Sequence, residues 1–358
     1  MNKKSKEKIL NGNIIFREIK SQGKIWPSVV SDFLKKKDKL VSIFKNHGNI
    51  YLIGSGSSYH TGLITESIYR NISNKSPVCV PSSEFLFFPD NYLKNRSDRD
   101  IFILISRTGE TSDTLMALDI IEKIGGFSLC LTSFPDSNIS KKSNYSVVLK
   151  QCQERSITST RAVSGFTTFI LSLFFTLYGR IDLVGTLSKN SEIFFKRFGH
   201  YSNMINSIIE KQDFDKYIFL GHGPFYGVAR EAALKVKEMS ITNTEFWQTL
   251  EYRHGHNTIL DSSSLVVIFL SKNGNSYQLK TCRELRKIGA KVLIICDGKV
   301  MDVPGEAYDW LIYAGLGLEE LLQPVFFQIF GQLIGYHQAI KKNINPSNPR
   351  HLEYVVTI

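Results

Sequence analysis

Apolar and polar positions follow two different patterns along the chain. Short apolar runs predict buried strands, whereas segments with an apolar residue at every third or fourth position predict helices. The strongest apolar runs open the segments 49–58, 100–106, 127–132, 217–223 and 265–275. Strands that alternate with helices form parallel sheets with helices packed against them, so the pattern predicts an α/β fold.

Weaker signals complete the predicted secondary structure. We expect a lysine-rich helical segment before residue 45, helices at 59–71, 111–124, 161–177 and 225–239, a short strand at 78–80 and an edge strand at 146–150. The most apolar stretch, Phe166–Leu177, is too short to span a bilayer and contains threonine and serine. This stretch therefore predicts a helix of the protein core.

The second half of the chain repeats the order of the first. The matched segments are 217–223 with 49–56, 265–275 with 101–111, 284–296 with 120–131, and 319–341 with the long helix at 161–177. This repeat predicts two tandem doubly wound, flavodoxin-like units related by duplication and joined near 181–191; two unrelated α/β domains are the alternative. The expected boundaries are a helical lead-in at 1–45, a first unit at 46–185, a second unit at 186–345 and a tail that closes the site at 346–358.

Composition narrows the class of protein. The 358 residues carry a net charge of +11 with 42% hydrophobic residues, which is ordinary for a globular chain and favours an anionic small substrate. Basic residues are not interleaved with aromatic ones, so we expect no nucleic-acid partner. The five cysteines are scattered and the basic N-terminus lacks an apolar signal region. We therefore expect reduced thiols, a cytoplasmic location and no membrane association.

Hydroxyl side chains cluster where two strands of the first unit end. The segments Gly54–Ser58 and Ser106–Thr111 each follow a strand and lead into a helix. Amides at a helix start favour an anion, and hydroxyls add donors around a compact phosphate. A dinucleotide fingerprint would need a third glycine near Tyr59, which disfavours NAD. Helix capping by Thr108 or Thr111 is the alternative and explains only one of the hydroxyls.

The second unit carries candidate acid–base groups. Glu231, Lys235 and Glu238 fall on one stripe of an otherwise apolar helix, and His254 follows in a turn-rich segment. Charges on a buried helix are costly unless they pair or face a site; a surface ion pair and a loop histidine are the simpler alternative. The loop at 271–275, which corresponds to Ser106–Thr111, has fewer hydroxyls. We therefore expect phosphate to bind the first unit and acid–base groups to come from the second.

Together these features resemble the sugar isomerase (SIS) domain family. The resemblance covers residues 48–358 and is carried by the Gly-x-Gly-x-Ser-Ser start, the Ser-x-Thr-Gly-Glu-Thr loop, the segment Arg230–Glu238 with His254-Gly255 after it, and the tail Asn348–Thr357. In particular, the chain is similar to the isomerase half of glucosamine-6-phosphate synthase and to stand-alone amino-sugar-phosphate deaminases and isomerases.

The resemblance implies a role for each candidate residue. Glu238 would move a proton between C1 and C2 of the sugar, with Glu231 and Lys235 in support. His254 would assist ring opening, reaching in from the neighbouring subunit of a homodimer. Ser159 would lie near the sugar. The residues expected to hold the phosphate are Ser57, Ser58, Ser106, Arg107, Thr108 and Thr111.

Three departures from the family pattern bear on the reaction. The chain begins Met1-Asn2-Lys3, without the N-terminal cysteine of a glutamine-hydrolysing domain or room for that domain, so we expect no glutaminase activity. Tyr354, expected near the sugar, stands where the family usually has a lysine, and His256 stands where a proline is usual. His256 is an added candidate contact to the ligand; with His254 it also forms a His-x-His pair. No third cluster of metal ligands accompanies this pair, so we expect no metal and no other cofactor.

The leading hypothesis is a homodimeric, cofactor-free enzyme that acts on a hexose or hexosamine 6-phosphate by C1–C2 proton transfer, as an isomerase or a deaminase. A deglycase that releases an amine from a sugar-amine phosphate is a related alternative. A non-catalytic regulator that binds a sugar phosphate is the alternative from another class, and Tyr354 and His256 keep it open.

Overall fold

The apolar runs form two five-stranded parallel sheets in the computed structural model, which describes residues 14–298 and 303–358. The part of the predicted lead-in before residue 14 lies outside the described residues. The strands of the first sheet are β1 Ile50–Gly54, β2 Val78–Pro81, β3 Ile101–Ile105, β4 Phe127–Thr132 and β5 Tyr145–Val148. The strands of the second sheet are β6 Lys216–Gly221, β7 Asn243–Trp247, β8 Ser264–Phe269, β9 Lys291–Cys296 and β10 Trp310–Tyr313.

Both sheets have the same topology. The first follows the order β2-β1-β3-β4-β5 and the second the order β7-β6-β8-β9-β10. In each sheet, the first strand along the chain lies between the second and the third. The central strands β1, β3 and β8 are buried along their whole length, as expected for parallel strands covered on both faces. The prediction of an α/β fold built from two duplicated, doubly wound units is confirmed.

Helices connect the strands and pack on the sheets. The longer helices are α1 Ile14–Phe44, α2 Ser57–Ile72, α5 Ser112–Lys123, α7 Arg161–Leu177, α8 Ile181–Lys196, α9 Phe198–Lys211, α10 Pro224–Ser240, α11 Asn275–Ile288 and α12 Gln323–Lys341. Shorter ones are α3 Ser82–Phe87, α4 Asp90–Leu93 and α6 Asn138–Lys142, and 3-10 turns lie at Lys150–Cys152, Glu251–Arg253, His256–Ile259 and Gly305–Ala307. The apolar stretch at 166–177 lies in the buried helix α7, as predicted.

The chain divides into two compact units. One comprises residues 21–154, 159–189 and 353–358, and it contains the first sheet. The other, among the described residues, comprises 14–20, 155–158, 190–298 and 303–352, and it contains the second sheet. The predicted join at 181–191 lies within helix α8. The strands β7 and β10 were not predicted from the apolar pattern.

Two glycines with the same backbone geometry show the duplication at atomic detail. Gly56 precedes α2 with φ 55° and ψ −124°, and Gly223 precedes α10 with φ 55° and ψ −129°. Side chains other than glycine rarely adopt this region. Both units therefore need glycine at the same step between their first strand and first helix, which explains the shared Gly-x-Gly pattern.

The described residues show further features of the chain's chemistry. All five cysteines are free thiols, four of them buried and Cys79 partly buried. Burial raises the pKa of Cys282 to about 12, which makes this thiol a poor nucleophile near neutral pH. Among the described helices, none combines the length and apolarity that a membrane crossing requires.

Helix α12 lies unusually close to helix α10 in the second unit. A Cβ atom added at Gly331 would lie 2.6 Å from Ala232 Cα, and one added at Gly335 would lie 2.9 Å from the Lys235 carbonyl oxygen. Real Cβ contacts are essentially never this short, so both positions require glycine. The two glycines lie four residues apart and hence on the same face of α12.

We predict that Gly331→Ala destabilises the protein by about 1–3 kcal/mol, because the added methyl group forces α12 away from α10. Gly185→Ala is the matched control. Gly185 is an exposed helical glycine whose added Cβ meets no described atom within 4 Å. Chemical denaturation should show a clear loss for the first variant and no loss for the second. Equal midpoints for Gly331→Ala and the wild type would contradict the close packing.

Candidate active site

The two hydroxyl loops of the first unit lie side by side at one edge of its sheet. Strand β1 ends at Gly54 and β3 ends at Ile105, and these two residues are partners in the parallel pairing. Ser55 Oγ donates a hydrogen bond of 2.7 Å to Asp113 Oδ2, which joins the first loop to the start of α5. The carboxyl edge of a parallel sheet is where open α/β folds bind their ligands.

The first loop presents a helix start with two serines. Ser57 and Ser58 occupy the first turn of α2, and both are half-buried. The amides of a first helical turn lack partners within the helix and favour an anion. The Ser58 N–H already donates a bond of 3.1 Å to the Ser55 carbonyl oxygen. The predicted phosphate-binding serines therefore lie at a helix start and add side-chain hydroxyls to it.

The second loop is held by its own hydroxyl groups. Ser106 Oγ accepts a hydrogen bond of 3.1 Å from the Gly109 N–H and lies 3.3 Å from Thr111 Oγ1. Thr108 Oγ1 accepts a bond of 3.3 Å from the Glu110 N–H. Thr111 precedes α5, but its side chain makes no capping bond in the described structure. Helix capping is therefore not the reason for these hydroxyls, and the hydroxyl network fixes the shape of the loop.

Glu154, a carboxylate that the sequence analysis did not identify, organises the same end of the first unit. Its side chain is fully buried, at 0% exposure. It accepts hydrogen bonds of 2.7 Å from the Thr160 and Arg161 amides, of 2.6 Å from the Thr160 hydroxyl and of 3.0 Å from the Ser159 hydroxyl. The Arg107 guanidinium lies 3.5 Å away. Because a buried charge needs such partners, Glu154 fixes the positions of Ser159 and Arg107 around it.

The C-terminal tail docks on this cluster. The Arg107 guanidinium stacks 4.3 Å from the centre of the Tyr354 ring, and the Tyr354 hydroxyl donates a bond of 2.8 Å to the Glu154 carbonyl oxygen. The Ser112 N–H donates a bond of 3.3 Å to the Val356 carbonyl oxygen. A cavity of about 300 Å³ beside the tail is lined by Thr108, Glu110, Phe134, Pro135, Asp136, Ser137, Tyr354 and Val355. Tyr354 thus joins the tail to the loop that carries Arg107.

The charged stripe of the second unit is an ionic triad on α10. Lys235 Nζ lies 3.5 Å from Glu231 Oε1 and 2.6 Å from Glu238 Oε2. The side chains of Glu231 and Lys235 are each 1% exposed, and that of Glu238 is 16% exposed. The alternative of a surface ion pair is therefore wrong, because α12 packs on α10 beside Lys235. One ammonium serves two carboxylates, and only Glu238 keeps contact with solvent.

A histidine that the sequence analysis gave no role supports the segment before His254. The Leu250 N–H donates a bond of 3.4 Å to His222 Nε2, and burial lowers the pKa of His222, which favours the neutral ring that can accept it. The 3-10 turn Glu251–Arg253 follows, and the His254 N–H donates a bond of 2.9 Å to the Glu251 carbonyl oxygen. The side chain of His254 is exposed.

His256 packs against an aromatic side chain. Its ring centre lies 3.6 Å from that of Trp247, and the two planes are inclined by 19°. Within residues 14–298 and 303–358 there is no group of three or more His, Cys, Asp or Glu side chains that could hold a metal ion.

The predicted residues thus fall into two groups, one in each unit. The first unit contains the candidates for phosphate and sugar, which are Ser57, Ser58, Ser106, Arg107, Thr108, Thr111, Ser159 and Tyr354. The second unit contains the triad, whose members are in contact, and His254 on a separate loop. Binding a phosphorylated compound requires hydrogen-bond donors for its phosphate. Moving a proton next to its carbonyl group requires a base such as a partly exposed carboxylate.

Comparison with known proteins agrees with the duplicated fold. A family model described as the SIS domain matches the chain twice, at residues 42–176 and 210–342. The isomerizing glutamine–fructose-6-phosphate aminotransferase of Sulfolobus acidocaldarius is 28% identical over 339 residues, which are 92% of this chain and 53% of that protein. The same enzyme of Oceanobacillus iheyensis is 24% identical over 368 residues, which are 97% of this chain and 58% of that protein. The chain spans about half the length of these relatives.

Solved structures also resemble the chain. Glucosamine-6-phosphate deaminase from Thermotoga maritima is 25% identical, with a TM-score of 0.73, over 92% of this chain and 99% of that one. Tagatose-6-phosphate ketose/aldose isomerase from Escherichia coli superimposes with a TM-score of 0.84 over 94% of this chain and 95% of that one. At 19% identity the latter likeness supports the fold alone.

We predict that Lys235→Met costs about 3–5 kcal/mol of stability, because it leaves two carboxylates on α10 without their shared ammonium. Lys237→Met is the matched control, since Lys237 is exposed on the same helix and its loss should change stability by less than about 0.5 kcal/mol. Guanidinium denaturation of both variants measures the difference. A small, equal effect of the two substitutions would show that the triad contributes nothing to the fold.

Proposed function

The chain belongs to the SIS domain family, and from this premise we propose that it is a phosphosugar enzyme that moves a proton between C1 and C2 of a hexose or hexosamine 6-phosphate. The proposal covers two outcomes of the same step, aldose–ketose isomerisation and deamination of an amino sugar. The names of the relatives and of the solved structures support this substrate class. We further propose that the active enzyme is a homodimer.

The observation that carries the proposal is the position of Glu238. Its carboxylate is held at 2.6 Å by the buried ammonium of Lys235, yet remains 16% exposed. A general base must be fixed in direction and still reach its substrate. Glu231, buried on the other side of Lys235, keeps the ammonium in place.

The proposed reaction starts from the open-chain sugar. The Glu238 carboxylate takes the proton from C2, the C2–H electron pair forms a C1=C2 double bond, and the carbonyl electrons of C1 move to O1. This gives an enediolate, or its enolamine counterpart when C2 bears nitrogen. A proton then passes from O2, or from N2 of an amino sugar, to O1, and the Glu238 carboxyl group returns its proton to C1 as the C2=O or C2=N double bond forms. An aldose thereby becomes a ketose, whereas a 2-amino aldose becomes an imine at C2. Water then hydrolyses this imine to the ketose and ammonia.

We assign the phosphate to the first unit. The amides and hydroxyls at the start of α2, together with the loop Ser106–Thr111, supply donors at one edge of the first sheet. Arg107 adds a positive charge, part of which is balanced by Glu154. Ser159, bonded to Glu154, and Tyr354, stacked with Arg107, are assigned to the neighbourhood of the sugar.

We assign ring opening to His254, acting on the substrate of the partner subunit. The imidazole is exposed on a loop that follows a 3-10 turn, and Gly255 after it takes φ 93°. Imidazole groups as a class exchange protons readily near neutral pH, so an exposed histidine suits proton exchange with a ring oxygen.

We predict that Glu238→Gln lowers turnover of glucosamine 6-phosphate about 10²–10⁴-fold, because the amide cannot accept the C2 proton. A coupled assay should follow ammonia and fructose 6-phosphate together, with glucose 6-phosphate tested in parallel. Ammonia with fructose 6-phosphate identifies a deaminase, and fructose 6-phosphate from glucose 6-phosphate alone identifies an isomerase. Glu306→Gln, which alters an exposed carboxylate of the same unit, should leave the rate unchanged. A Glu238→Gln variant as active as the wild type would remove Glu238 from the mechanism.

The proposal that His254 acts on the substrate of the partner subunit makes a separate prediction about mixed dimers. Glu238→Gln and His254→Ala are each expected to be inactive alone. In dimers co-assembled from equal amounts, the subunit with Glu238 receives His254 from the other, so activity should return to about a quarter of wild type. A mixture of Glu238→Gln with Glu238→Ala serves as the control and should stay inactive. If the first mixture also stays inactive, His254 does not act across subunits.

A further inference from the structure

The second unit contains a loop that corresponds to the candidate phosphate loop of the first unit. Residues 271–275 follow strand β8 as residues 106–111 follow strand β3, and each strand is third in its own unit. Both loops lead into a helix at the carboxyl edge of a parallel sheet, and both contain a glycine with positive φ, at Gly109 and Gly274. The backbone of the second loop is therefore also suited to an anion.

An anion of the chain itself occupies this second loop. Glu320 Oε1 accepts a hydrogen bond of 2.8 Å from the Lys272 N–H, the first amide after Ser271. A bond from an amide to a carboxylate is of the charge-assisted kind, which is stronger than one between neutral groups. The Lys272 amide at the start of this loop thus already has a negatively charged partner.

The segment that carries Glu320 is firmly held. Asp297, at the end of strand β9, accepts hydrogen bonds of 2.6 Å from the Leu316 N–H and 2.7 Å from the Leu318 N–H. The Gln323 side chain donates a bond of 3.1 Å to the Leu318 carbonyl oxygen. Glu320 lies between these anchors, so its approach to Lys272 is part of the folded structure.

The first unit uses its corresponding carboxylate differently. Glu154 and Glu320 both lie between the last strand of their unit and the long helix that follows. Glu154 accepts the amides of its own helix α7 and faces the side chain of Arg107. Glu320 instead accepts the backbone amide of the loop. The Lys272 amide of the second loop therefore has a carboxylate partner, whereas the carboxylate of the first unit is used by helix α7 and the Arg107 side chain.

The space beside the second loop also disfavours phosphate. A cavity of about 540 Å³, ample for a sugar phosphate, is lined in part by Ser271, Lys272, Asn275, Asp297, Glu319 and Glu320. Three of these side chains carry negative charge and one carries positive charge. The net negative charge of this lining repels a phosphate dianion.

We infer that Glu320 takes the place of a phosphate in the second unit, so that this unit is closed to phosphate and each chain binds a single phosphosugar through the first. The inference deepens the proposed function and rests on its assignment of phosphate to the first unit.

The test is a calorimetric titration with inorganic phosphate, combined with hydrogen exchange of the loop amides. The wild type should bind about one equivalent per chain, with exchange slowed in the first unit and unchanged at 271–275. Glu320→Ala should bind a second equivalent, exchange faster at Lys272 without phosphate and regain protection when phosphate is added. Glu319→Ala is the matched control, because it removes the same charge from the same cavity but keeps the bond from Lys272 to Glu320.

The outcomes separate this inference from the proposed function. It is overturned if the wild type binds phosphate at 271–275, if Glu320→Ala gains no site, or if Glu319→Ala gains one as readily. A different outcome is a wild type that binds no phosphate beside a Glu320→Ala variant that binds one equivalent at 271–275. This outcome would contradict the assignment of phosphate to the first unit and the claim that each chain binds a single phosphosugar there. It would support only the role of Glu320.

Discussion

The buried ammonium of Lys235 is the interaction on which the second unit depends. A charge at 1% exposure is tolerated only with partners, and two carboxylates of the same helix supply them. The arrangement needs helix α12 close by, and Gly331 and Gly335 permit that approach. The direction of the Glu238 carboxylate therefore depends on its pairing with Lys235, and this pairing depends on the packing of α12 against α10. A carboxylate fixed in this way needs little reorganisation, which suits the role of base that we propose for Glu238.

The two units share a backbone fold but place their charged side chains differently. Their sheets have the same order, and Gly56 and Gly223 take nearly the same dihedral angles. What differs is where each unit places its charges. The first unit buries Glu154 against the Arg107 guanidinium and the hydroxyls of Ser159 and Thr160. The second unit places its ionic triad on a helix, and its Glu320 accepts a bond from the Lys272 amide. The same fold thus offers donors for an anion in one copy and a carboxylate in the other.

Sequence patterns predicted most of the fold because parallel strands buried on both faces are continuous apolar runs. They missed β7, which is only half-buried and carries polar residues, and the short edge strand β10. The stripe Glu231–Glu238 was visible as a helical spacing, but its burial depends on α12, nearly a hundred residues further along the chain. Glu154 was missed because a single acid before a run of hydroxyl residues has no periodicity; only its contacts with Arg107 and helix α7 reveal it.

The most direct test of the central claim is proton exchange at the sugar carbon itself. Wild-type protein should be incubated in deuterium oxide with a panel of hexose and hexosamine 6-phosphates and followed by nuclear magnetic resonance. Proton transfer by Glu238 predicts deuterium at C2 of at least one aldose, or at C1 of the matching ketose, even where net turnover is slow. Tight binding of a sugar phosphate with no deuterium at either carbon across the panel would contradict an enzyme and indicate a regulator that only binds its ligand.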